Sequence, residues 1–128
     1  MRPRASLGTT LLLLLIGSVS LASELLQSGQ LEGRGDHATR GSVSIRSTAS
    51  GHVLVLGADF EFDGAPDPKL GFGKDGFQAA SLFAKLERNY GFQTYKLPKD
   101  FDPARYNEFW LWCEKLDVPL GVAHLNRE

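Results

Sequence analysis

From Gly41 to Leu125 the chain runs as short apolar or alternating segments, most of them soon stopped by glycine, proline or small polar residues. That rhythm predicts strands joined by tight turns. Gly41 to Ser47 sets Val43 and Ile45 on one face against Ser42, Ser44 and Arg46 on the other, as in a half-buried strand. Thr48 to Gly51 is a turn, and His52 to Leu56 is almost wholly apolar, so the two segments predict a hairpin. Ala58 to Phe62 continues in the same style until Gly64-Ala65-Pro66-Asp67-Pro68 breaks it. Lys69 to Gly73 is a short strand, Lys74 to Gln78 a loop, and Phe92 to Leu97 a strand ended by Pro98. Glu24 to Glu32 is mixed and predicts a first edge strand around Gln30-Leu31. A last apolar strand, Leu120 to Leu125, follows a turn at Val118-Pro119. Asp102-Pro103 joins an N-cap residue to a proline at the first helical position, so Asp102 to Asn107 reads as one short helical turn. The sum is an all-β sandwich or barrel of about eight short strands.

Ala79 to Tyr90 is ambiguous. Ala79, Leu82, Phe83 and Leu86 fit helical spacing, whereas Leu82, Ala84 and Leu86 alternate. Local pattern alone leans to a helix.

The first 22 residues have another purpose. Arg2 and Arg4 precede the apolar run Leu11 to Ile16, and Ser20-Leu21-Ala22 offers small residues at the −3 and −1 positions of a cut. This layout predicts a secretory signal peptide over 1–22, a single domain over 23–128, and an exported (periplasmic or extracellular) product. Losing Arg2 and Arg4 leaves twelve Lys and Arg against 15 acidic residues, a formal charge of −3. Mild acidity argues against nucleic acid as partner. No second long apolar segment is available to span a membrane.

Both tryptophans and the only cysteine lie in Phe109-Trp110-Leu111-Trp112-Cys113. As a strand, this segment puts Phe109, Leu111 and Cys113 on one face and Trp110, Trp112 and Glu114 on the other. One cysteine permits no internal disulfide. In an exported protein a leftover cysteine points to intermolecular pairing or a reactive thiol, while free cysteine is also among the most buried residue types. Both readings stay open on the residues alone.

Other motifs carry less. Arg34-Gly35-Asp36 spells an adhesion tripeptide but sits in a glycine-rich turn. Asp59, Glu61, Asp63 and Gly64 resemble the start of a calcium loop, yet the twelfth position is Leu70 and the flanks are strand-like. His37, His52 and His124 do not stand at blue-copper spacing from Cys113, and no metal is expected. The chain has no Cys-x-x-Cys, no Ser-centred nucleophile elbow and no phosphate loop.

Three segments together resemble the DM13 domain. Gly33 to Ser44 (GRGDHATRGSVS) is similar to that family's Gly-x-x-x-His-x-Thr-x-Gly-x-Val entry. Leu54 to Phe72 (LVLGADFEFDGAPDPKLGF) resembles its strand, Asn/Asp-Phe and Gly-Pro-Asp-Leu segment. Gly91 to Leu125 (GFQTYKLPKDFDPARYNEFWLWCEKLDVPLGVAHL) resembles its close around Trp-Cys. The chain departs from the pattern at Ala65-Pro66-Asp67-Pro68 and at Leu116, where the family has phenylalanine. The resemblance implies a β-sandwich with a proposed electron-transfer role. It makes the region matching Ala80 to Leu86 a strand rather than a helix. It also implies that Cys113 is the redox residue, as a free thiol or as a ligand to a prosthetic group such as haem. His37, which matches the family's histidine in the entry loop, is its implied companion, Trp112 is a further candidate at a cofactor, and the partner is an unidentified redox or exported protein. The competing expectation is a non-enzymatic interaction or ligand-binding module in which Cys113 is inert. Trp110, Trp112 and Tyr95 line a flat pocket on the first reading and are ordinary core aromatics on the second.

Overall fold

The structure is a computed structural model describing residues 23–128. The expected signal peptide lies outside the described residues. Eleven strands are present among them: β1 (Glu24–Gly33), β2 (Thr39–Thr48), β3 (Gly51–Leu56), β4 (Glu61–Phe62), β5 (Pro68–Gly73), β6 (Phe77–Gln78), β7 (Ala84–Lys85), β8 (Gln93–Lys96), β9 (Glu108–Cys113), β10 (Val118–His124) and β11 (Asn126–Arg127). Two 3-10 turns, Ala79–Ser81 and Pro103–Arg105, are the helical content of the described residues. No described helix is long and apolar enough to cross a membrane.

The strands make one antiparallel sheet in the order β6-β5-β9-β10-β1-β2-β3-β8, with β11 on β1, β4 on β2 and β7 on β5. The all-β class is as expected, but the sandwich resolves into a single sheet that curls on itself, and the strand count exceeds about eight because four strands are two-residue pairings. Core residues come from both ends of the path, Leu70 and Phe72 of β5 and Tyr95 of β8, and share one cluster with Leu54, Phe109 and Leu111. The segment after β7 straps the two ends together. The Leu86 N–H donates to the Pro68 carbonyl on one side, and the Glu87 N–H to the Tyr95 hydroxyl on the other.

The hairpin of β2 and β3 forms as predicted, in register from Val43 opposite Leu56 to Thr48 opposite Gly51. β1 is not an edge strand. It is ten residues long and lies inside the sheet, paired with β2 along most of its length and on the other side with β10 at Leu31–Gly33 and β11 at Gln27–Ser28. Its polar sequence hid this, because Gln27 faces inward and is nearly inaccessible. Ala79 to Leu86 is neither the locally favoured helix nor a continuous strand. The Ser81 hydroxyl accepts from the Phe72 N–H and bonds back to backbone carbonyls, so a side chain takes the place of a ladder partner between β6 and β7. The helical turn before β9 is shorter than expected, Pro103–Arg105, with Asp102 capping it by accepting from the Ala104 N–H at 2.9 Å. β10 begins at Val118 rather than Leu120, so the turn lies earlier, over Glu114–Asp117.

Candidate functional site

β9 pairs with β5 on one side and β10 on the other, and Cys113 stands opposite Pro68 and Val118. Period-2 alternation puts Phe109, Leu111 and Cys113 inward, as predicted, and all three belong to the core cluster. The thiol is free and Cys113 has 0% exposure. It lines none of the clefts beside Asp63, His124, His52, Phe101 and Lys69.

Trp112 neighbours Cys113 in sequence but points to the opposite face. There Phe77 stacks flat on it, with centroids 3.8 Å apart and planes 7° from parallel, and Trp110 meets it edge-on at 5.9 Å. Both indoles are anchored: Trp110 Nε1 donates to Glu108 Oε1 at 3.0 Å and Trp112 Nε1 to Asp117 Oδ1 at 3.1 Å. Glu108 is buried, and the same oxygen takes the Gly76 N–H at 2.8 Å, which fixes the β5–β6 turn beneath the rings. Lys69, beside Trp112 in the ladder, holds Glu114 at 2.6 Å and Asp67 at 3.3 Å. The Glu114 carboxylate, with help from Asp67, raises the lysine pKa above its usual range.

His37 sits in the loop between β1 and β2. Its Nδ1 donates to Asp63 Oδ1 at 2.9 Å and its ring lies 5.8 Å from Phe62. Asp63 also accepts from the Ala38 N–H, and that bond, followed by the histidine, holds its carboxyl below the ordinary value of 3.8. This pairing ties the β1–β2 loop to the segment after β4. The three companions of the expected site are thus held in three places: Cys113 in the core, Trp112 on the outer face, His37 in a loop pair.

The acidic run Asp59, Glu61 and Asp63 does not converge on one point. Asp59 Oδ1 accepts from the Ser42 N–H and hydroxyl, Glu61 pairs with Arg40 at 2.8 Å, and Asp63 serves His37 and Ala38. Among the described residues no group of three His, Cys, Asp or Glu is arranged to hold a metal ion. Arg34-Gly35-Asp36 is a turn, with Gly35 at φ +64°. Haem at Cys113 needs an open slot against the sulfur. The thiol is instead enclosed by the sheet's own core, so these residues do not fit haem there, and no step is derived through one.

Tyr95 does not stack with Trp110 and Trp112. It is a buried residue of β8 whose hydroxyl receives the Glu87 N–H and donates to Gln93 Oε1; burial raises its pKa above the usual 10.0. Two features escaped the sequence reading. One is Glu108 as the buried anchor of the tryptophan face, which glutamate at a strand start does not advertise. The other is a pair of clefts at the seam of the curled sheet, near His52 and Phe83, residues brought together only by the curl.

No curated protein and no solved structure matches the chain. Residues 30–125, well over half of the 128, match the family model described as electron transfer DM13, and the chain belongs to that family.

Proposed function

We propose that the protein is an exported electron-transfer domain whose single thiol, Cys113, is a guarded redox group, silent in the closed fold and reactive only from an opened one. The family match, which runs through Cys113, supports the electron-transfer role. The observation that carries the guarded form is the thiol's place at the last residue of β9, next to the Glu114–Asp117 turn, with no exposure in the closed sheet. Reactivity of a thiol needs access and thiolate character, and a strand end beside a turn opens at lower cost than a strand centre. The signal-like layout of residues 1–22 supports the export part of this reading.

The test is incubation of the full chain with an aromatic disulfide reagent, in buffer and in denaturant below the unfolding transition. Slow mixed-disulfide formation at Cys113, speeded by mild denaturant and absent in Cys113→Ala, is the expected result. A thiol that reacts only after complete unfolding sinks the proposal. It favours instead the interaction-module reading, which the complete burial of Cys113 in the core supports.

A further inference from the structure

Where the curled sheet fails to close, between the segment joining β6 to β7 and the β3–β8 edge, two adjoining clefts of about 410 and 270 Å³ share Phe83 and Pro98 as common walls. Phe83 stacks on the buried Phe72, with centroids 5.6 Å apart and planes 14° from parallel, which seats its ring at the seam. Phe101 and Tyr106 continue the aromatic lining, each against Phe72 at 4.9 and 5.2 Å. At the other end stands His52, edge-on to Phe101 at 5.7 Å, with no hydrogen-bond partner for its ring nitrogens among the described residues. Lys96 and Lys99 line that end too. Neither is in an ion pair among the described residues, and no acidic side chain lines that cleft.

The charges differ at the aromatic end. Asp100, Asp102 and Arg105 line it; Asp102 is engaged in capping Ala104, and Arg105 lies 6.0 Å over the Tyr106 ring. The seam is therefore polarised, with rings along its floor and unpaired cationic and imidazole donors at one end. Apolar walls with a few convergent polar groups are the usual make-up of a small-molecule site, and planar rings are held by offset or edge-on stacking at these separations. We infer that this seam binds a small planar aromatic acid, its one or two fused rings packed along Phe83 and Phe101 and its acidic group facing His52, Lys96 and Lys99. The inference does not depend on any role for Cys113.

The experiment uses 2-naphthoate as probe and the full chain labelled for amide NMR, with the neutral 2-naphthamide as comparison. Saturable shifts centred on His52, Phe83, Lys99 and Phe101 are expected. Affinity should fall by about tenfold or more on changing carboxylate to amide, and again in Lys99→Glu, an exposed change that leaves the core packing intact. Equal binding of acid and amide, shifts centred on Phe77 and Trp112 instead of the seam, or no saturation in the millimolar range would each overturn it. The acid–amide comparison needs no variant, so it stands even where a substitution disturbs folding. Failure of Cys113 to react leaves this result untouched, and the converse also holds.

Discussion

A single carboxylate, Glu108, ties together two features that the backbone alone would leave loose. Its Oε1 receives both the Gly76 N–H and Trp110 Nε1, and it does so from a buried position. Truncation to alanine leaves two donors without an acceptor, a cost of about 1–3 kcal/mol. Glu108→Gln keeps an oxygen in place and is expected to lose less than half of that, as read by urea melts. A loss for Gln equal to that for Ala would mean that charge, not acceptor geometry, matters here. Asp59 and Asp63 do a similar tying task at the surface, and their effect depends on pH. Backbone N–H donors, from Ser42 and Ala38 respectively, are the chief cause that depresses both carboxyls below 3.8. A depressed folded pKa contributes stability above the unfolded value and loses it as pH falls through the folded one. Acid titration of stability should therefore begin to fall below pH 3.8, and Asp59→Asn with Asp63→Asn should flatten that fall. Both groups are exposed, so the amplitude is small. An unchanged acid slope in the double variant would refute the assignment.

At the scale of elements, β9 was legible from sequence because its pattern and its burial agree. Alternation of aromatic and aliphatic residues put Cys113 inward and Trp112 outward, and both stand so. β1 was legible as a strand but not as a central one, since Leu31 is its one fully buried aliphatic residue and the other buried position carries Gln27. Gln27 is kept inside by donating from Nε2 to the Tyr106 carbonyl, a partner 79 residues away that no local window contains. The segment from Ala79 to Leu86 failed for a related reason, because the Ser81 hydroxyl substitutes for a ladder bond. Site residues follow the same rule. Family likeness named Cys113 and, beside it, His37, with Trp112 as a further candidate at a cofactor, while the sheet gives each a different face or loop. The join of β2 to the turn before β4 depends on Gly41, at φ +116°, where an added Cβ would stand 2.5 Å from the Phe60 Cα. Gly41→Ala should thus cost more than the usual glycine-to-alanine change, about 2 kcal/mol or more. A thermal midpoint within a degree or two of the parent would refute the close approach.

For the whole molecule, the decisive fact is that one sheet makes its own interior by curling, and that the strap after β7 holds the ends together. Phe62 and Gly91 bond across the strap's far side, from the Phe62 N–H to the Asn89 carbonyl and from the Gly91 N–H to the Phe60 carbonyl. Near its middle the strap rests on the Tyr95 hydroxyl, through the Glu87 N–H at 2.9 Å. Tyr95→Phe removes that acceptor while keeping the ring, a loss of about 1 kcal/mol. If the strap closes the sheet as a separate unit, amide exchange at Glu87 should speed up while exchange in β1, β2 and β9 stays near its parent rate. Alkaline pH supplies an independent check. Burial raises the Tyr95 pKa above 10.0, so the fold favours the neutral phenol. Its contribution is fully present below pH 10.0 and is lost as pH rises through the folded value. The parent should weaken above pH 10.0 more steeply than Tyr95→Phe, because the variant has no phenol to ionise in the seam. Parallel alkaline profiles for the two proteins would place the phenol in water and remove the strap's anchor from the account of how the sheet stays curled.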